Sequence, residues 1–190
     1  MPKPALLRDE AGAKLTLSPS SVTNLTRGDR VALVSLNGAD IAGNARHAPA
    51  LLVGSLRNRT AVAHWCAAAL DRGPITRVTV VAAAEQWAST LDGVDGLRPS
   101  IEDWLGAGAI AHCAADTGMV LSAEAQAAAT FAAAEQYGLT NWLRESTTGR
   151  ELIAKGFSAD VDAAADLDAD HTVPKLAPDG FFTAADFPPG

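Results

Sequence analysis

Two short, continuous apolar runs, Val31-Ala32-Leu33-Val34 and Ala50-Leu51-Leu52-Val53, and the β-branched stretch 77–81, R-V-T-V-V, constrain the fold most strongly. The first, without polar residues between its apolar ones, is of the kind buried on both faces of a parallel sheet. Segments with helical patterning separate and follow them. Residues 58–70 place Val62, Trp65, Cys66 and Ala69 at helical spacing before the Asp71-Arg72-Gly73-Pro74 stop. Further helices are predicted over 42–48, 101–115, 122–136, 141–144, 148–154 and 160–167. Short strands are expected at 15–17 and 171–176, the second held at a sheet edge by Pro174. Residues 1–14 read as loose, and Phe181, Phe182 and Phe187 would pin the tail. Apolar strands alternating with helices predict an α/β fold: a layered α/β/α arrangement around a mostly parallel or mixed sheet, with 31–34, 50–53 and 77–81 as neighbours. At 190 residues and 48% hydrophobic content, one core and a single domain over 1–190 are expected.

The stretch R-P-S-I-E-D-W-L-G-A-G-A-I-A-H-C-A-A, from Arg98 to Ala115, says most about local packing. Ser100, three residues ahead of Asp103, is a helix start signal. Gly106 and Gly108 each cost roughly 1 kcal/mol against Ala inside a helix. Two in one turn predict that another backbone, or a ligand, approaches this face; the plainer reading is a capped, tightly packed core helix.

The net charge of −7 and the absence of a Lys/Arg stripe exclude a nucleic-acid partner. No apolar run approaches the ~20 residues of a membrane span, so no membrane partner is expected. Cys66 and Cys113 lie in Ala-rich helical segments and read as reduced thiols, which favours the cytoplasm. The four His residues show no metal spacing, and there is no nucleophile elbow, P-loop or dinucleotide fingerprint.

Ligands of open α/β sheets bind beyond the carboxyl ends of strands. Three turns are predicted there: Ser35-Leu36-Asn37-Gly38, Gly54-Ser55-Leu56-Arg57-Asn58 and Ala84-Glu85. They bring small residues, hydroxyls and amides to one rim, beside helix N-termini that suit a phosphate. Hydrolysing a phosphate monoester calls for charge neutralisation and an in-line oxygen, commonly through magnesium (Mg2+), one or two carboxylates and an Arg. Glu102 and Asp103 leave a helix about 100° apart, so one could face the rim as metal ligand or proton carrier while the other caps. Glu85 is a second candidate carboxylate. Ser146-Thr147-Thr148-Gly149 reads as a hydroxyl-capped helix start leading to Arg150.

The segment R-P-S-I-E-D-W-L-G-A-G-A-I resembles the S-x-E-D-x-x-x-A-G-A-I signature of the 2-phosphosulfolactate phosphatase family, magnesium-dependent acid phosphatases of coenzyme M biosynthesis. S-L-N-G-A at 35–39, V-G-S-L-R-N at 53–58, S-T-T-G-R at 146–150 and the run 156–174 are similar in the same order. The resemblance implies catalytic roles for Glu102, Asp103 and Arg150, with Glu102 and Asp103 as magnesium ligands. It implies a substrate-binding set of Asn37, Gly38, Ser55, Asn58, Glu85 and Ser146, and a small phosphorylated hydroxy acid as substrate. Asn37, Ser55, Asn58, Glu85, Glu102 and Arg150 are then expected to converge on one rim. Family members carry an earlier Asp-Val-Leu-Arg-Ala-Thr motif that nothing in 1–15 matches, so the chain resembles the C-terminal two-thirds of the fold. That departure predicts slow turnover, and a bared sheet edge that would favour a homo-oligomer. The alternatives are a non-catalytic phosphate-ligand-binding remnant and a purely structural protein.

Overall fold

A computed structural model describes residues 3–5, 15–23, 25–33, 35–73, 75–86, 96–135 and 138–186. Among them are seven α-helices: α1 (Leu36–Ala45), α2 (Arg59–Arg72), α3 (Ile101–Asp116), α4 (Ala123–Glu135), α5 (Leu139–Glu145), α6 (Thr147–Ala154) and α7 (Ser158–Ala164). Six short strands accompany them: β1 (Lys3–Ala5), β2 (Val31–Leu33), β3 (Glu85–Gln86), β4 (Leu97–Arg98), β5 (Pro174–Leu176) and β6 (Phe182–Ala184). The expected mixture of helix and strand is present, and helix dominates.

Helix α3 is the packing axis. It buries Leu105, Gly106, Gly108, Ala109, Ile110, Ala111 and Ala114. Leu105 and Ala109 join Leu56, Leu139, Leu143 and Val161 in one apolar cluster, while Ile110 joins Val62, Trp65, Cys66 and Val173 in another. A Cβ at Gly108 would collide with the Ala128 carbonyl of α4. The close approach predicted from the paired glycines is therefore real, and the partner is a neighbouring helix backbone. Gly106 is less constrained, its Cβ position lying 3.9 Å from the Leu56 amide nitrogen. Trp104 stacks on Phe131 of α4 at 4.8 Å, and Phe131 meets Trp142 of α5 edge-on at 5.6 Å, geometries that aromatic quadrupoles favour.

The strands depart from the expected sheet. Among the described residues they form three two-stranded units: β1 parallel to β2, β3 antiparallel to β4, and β5 antiparallel to β6. Residues 31–33 of the first predicted strand form β2 (Val34 lies outside the described residues), and its partner is β1, in a stretch read as loose. Residues 77–81 belong to no named strand, and Val80 and Val81 are exposed. An apolar run reports a preference for burial, whereas ladder partners are chosen by tertiary neighbours. Residues 50–53 run beside β5 instead of a parallel neighbour: Val53 N–H donates to Pro174 O at 2.9 Å, and Leu176 N–H to Leu51 O at 2.9 Å.

β5 thus has a neighbour on each side, which corrects the edge placement expected from Pro174. In an antiparallel pair one residue's N–H and C=O face the same partner strand, so the donor Pro174 lacks would have served Val53. The Val53 carbonyl takes the Asn58 side-chain amide instead, at 3.3 Å. Predicted helix boundaries hold to within a few residues, except that α1 begins earlier than 42. No helix among the described residues is long and apolar enough to cross a membrane.

Candidate active site

Three chain segments meet at the start of α3. Ser100 precedes the helix in extended conformation, and its backbone carbonyl accepts Trp104 N–H at 3.0 Å. Its side chain makes no backbone cap; the hydroxyl bonds the Asp103 carboxylate. That carboxylate also accepts the backbone N–H of Ala84. Ala84 has φ +60, a left-handed conformation costing a non-glycine residue roughly 1–2 kcal/mol. Its carbonyl accepts Asn37 Nδ2, from the first turn of α1, at 2.8 Å. Ala84 is therefore held from both sides, as strained backbone at functional positions tends to be. The next residue, Glu85, pairs in register with Arg98 across β3 and β4. Asn37, Glu85 and Asp103 are thus tied to one another through a single peptide.

Burial pushes the Asp103 carboxyl up from 3.8 to about 6; the Glu102 and Glu85 charges add to this rise, and bonds from Ser100 and Ala84 oppose it. Glu102 Oε2 is buried without a hydrogen-bond partner, an arrangement that costs free energy unless something else satisfies it. Glu102, Asp103, Glu85, Ser55 and Ser146 all line one open cavity of about 1320 Å³. Glu102 and Ser146 also line a second cavity of about 500 Å³, whose walls include Arg98 and Arg150.

Ser146 is the N-cap of α6, as its hydroxyl-rich start predicts. It accepts Gly149 N–H at 2.9 Å and donates to Leu143 O at 2.8 Å. Gly149 could carry no side chain there, because a Cβ would strike the Leu143 carbonyl. Arg150, one residue on, is exposed and lies 4.0 Å from Glu145.

The candidate residues thus divide. Asn37, Glu85 and Asp103 meet around the Ala84 peptide, with Glu102 next to Asp103; Ser55 and Ser146 stand on the cavity wall, and Arg150 at the adjoining cavity. Asn58 is buried, and its amide is spent on the fold: Oδ1 accepts the Ser55 N–H at 2.8 Å, and Nδ2 donates to Val53 and Thr172 carbonyls. Gly38 sits inside α1, where a Cβ would lie 2.8 Å from Ser35 Oγ, and it lines neither cavity.

Sequence reasoning passed over Arg98. It is only 6% exposed, donates to Thr148 Oγ1 at 3.1 Å and lies 3.6 Å from Glu151. Its signal was present, since an Arg directly ahead of Pro99-Ser100 and the acid pair is poorly explained as surface decoration. Ala84 left no trace, because a left-handed alanine has no sequence signature.

Among the described residues no three His, Cys, Asp or Glu side chains gather as a metal cluster. Glu102 and Asp103 do supply two adjacent carboxylates, one with an orphaned oxygen. That number suits magnesium, which keeps several waters and uses substrate oxygens as further ligands.

Carboxylates at a helix start thus stand beside guanidinium groups on the adjoining cavity wall. The family model described as 2-phosphosulpholactate phosphatase matches residues 9–179, and the chain belongs to that family. A comparison with curated proteins found no match. Family membership supports a phosphatase function.

Proposed function

We propose that the protein is a magnesium-dependent phosphatase acting on 2-phosphosulfolactate or a closely similar phospho-hydroxy acid, in the cytoplasm and in the manner of coenzyme M biosynthesis. The observation carrying this reading is the acid pair: Asp103 with its carboxyl near 6 beside Glu102 with a buried, unpartnered oxygen. Near that pH Asp103 exchanges a proton readily, so it can deliver one to the departing alkoxide or remove one from an attacking water. Ser100 and Ala84 hold its carboxyl in place, and Asn37 fixes Ala84 in turn. Glu102 would hold magnesium, which would neutralise charge on the phosphoryl oxygens, leaving Asp103 to carry the proton. Arg98 and Arg150 lend positive charge from the neighbouring wall, as phosphoryl chemistry requires.

The test is phosphate release from 2-phosphosulfolactate and from 4-nitrophenyl phosphate, with magnesium and with EDTA. Magnesium-dependent release is expected. Equal release in EDTA would remove the metal from the reading, and substrate binding without any release would favour the non-catalytic alternative.

A further inference from the structure

Residues 75–82, I-T-R-V-T-V-V-A, are strand-like in sequence and unpaired in the fold. Ile75, Thr76, Val78, Thr79, Val80 and Val81 are β-branched, a class enriched in strands. The chain runs from 75 to 84 without helix, turn or bend. Among the described residues, no backbone N–H or C=O of 75–83 takes part in a hydrogen bond. Ile75 and Val78 pack against the apolar cluster around Val62, Trp65 and Ile110. Thr76, Arg77, Thr79, Val80, Val81 and Ala82 are exposed. The segment is thus anchored on one face and open along its backbone. We propose that a second copy of this chain pairs with it, 75–82 of the two copies forming an antiparallel ladder about a two-fold axis through Thr79.

Unpaired strand edges recruit other strands, and proteins that keep them free blunt them with Lys, Pro or bulges. Between 75 and 82 only Arg77 is charged, and there is no Pro or Gly. Self-pairing suits this pattern. About Thr79, Val78 falls opposite the partner's Val80, and Arg77 opposite the partner's Val81. The valines meet each other, and the one cation never meets its copy. Thr79 faces the partner's Thr79, a cross-strand pair that is favourable in ladders, whereas like charges directly opposite are not. A two-fold pairing also closes on itself, where head-to-tail addition would continue into filaments. Because Ile75 and Val78 hold the segment before the partner arrives, little ordering is lost on association. Its eight residues span about 26 Å, a small contact that suits a reversible dimer better than an obligate one. Residues 75–83 also line the larger cavity, so the partner strand comes to lie along its border.

The test is sedimentation velocity of the unaltered chain across micromolar concentrations, where a reversible monomer–dimer equilibrium is expected. Thr79→Lys sets two like charges face to face and should weaken the dimer by about tenfold or more; Thr79→Glu should do the same. Mixed in equal amounts, the two variants should dimerise at least as well as the unaltered chain, because Lys then faces Glu. Thr79 is exposed, so both variants should keep the fold, as circular dichroism will report. A chain that stays monomeric throughout overturns the proposal. So does a dimer that Thr79→Lys leaves intact, since it would use another face. Weakening in both variants without recovery in the mixture overturns it as well, because residue 79 would then not face its own copy.

Discussion

Helices α2 and α3 both begin against carboxylates, where the positive end of the helix dipole welcomes negative charge. At α2 the carboxylate comes from far along the chain. Asp168 accepts Thr60 N–H and Arg59 Nε–H, each at 3.0 Å, while its own N–H donates to Leu56 O at 3.2 Å. Partial burial works against its charge, but the bonds from Thr60 and Arg59 outweigh this and hold its carboxyl below the usual carboxylate range. Asn58 beside it has its amide fully engaged. At α3 the acids belong to the helix itself; Asp103 is pushed up to about 6 and Glu102 keeps an orphaned oxygen. One helix start closes a structural seam, and the other holds charge in a state that a ligand can improve. Elements of the same kind thus serve stability in one place and chemistry in the other, and the degree of satisfaction distinguishes them.

The sharpest way to break this contrast is to swap the consequences. Glu102→Gln should lower magnesium-dependent phosphate release by about a hundredfold or more, while leaving the melting midpoint unchanged or raised, since repulsion with Asp103 is relieved. An intact rate in Glu102→Gln would sink the catalytic assignment of α3. Asp168→Ala should do the opposite. Removing it strips a cap and a charged partner from the α2 start, for about 2 kcal/mol and a melting midpoint lower by roughly 4–8 °C. Its rate per folded molecule should stay near that of the parent. A scanning-calorimetry trace unmoved by Asp168→Ala would show that the seam holds without it.

These two regions also differ in how far they could be read from sequence. The α3 start was legible because its signals are local: Ser100, the acid pair and two glycines all fall within one short stretch. The α6 start was legible for the same reason, through its run of hydroxyl residues before Gly149. Asp168 was not, because the residue it caps lies 108 positions away and an Asp in an acidic, Ala-rich segment carries no mark of its partner. Strand pairing failed likewise. Nothing in Lys3-Pro4-Ala5 announces a ladder with Val31–Leu33, and the apolar run at 50–53 does not reveal that its neighbour is antiparallel. Asn58 illustrates a subtler miss: an amide in a rim turn reads equally well as a ligand-binding group, and only the missing N–H of Pro174 explains why the fold consumes it.

The finest test of the comparison is the pH dependence of stability, where the two ends should respond with opposite sign. Asp103 has its carboxyl raised from 3.8 to about 6 in the folded protein, so the folded state holds that proton more tightly than the unfolded chain. The resulting stability is fully present below 3.8 and is lost as pH rises through about 6. Asp168 is lowered; its contribution is present above the unfolded value and is lost as pH falls through its folded one. Asp103→Asn removes the first effect alone. A rise of this size corresponds to about 3 kcal/mol for a fully desolvated group, but Asp103 is only partly buried, and solvent screening reduces the expected gain to about 1 kcal/mol. Above pH 6, Asp103→Asn should therefore be the more stable protein and the slower enzyme, a trade common at functional sites. Below the unfolded value the two proteins should converge. Urea titrations across this range, with phosphate release measured alongside, provide the check. A variant that loses stability at neutral pH would mean that Asp103 serves the fold as Asp168 does, and the distinction between the two helix starts would be gone.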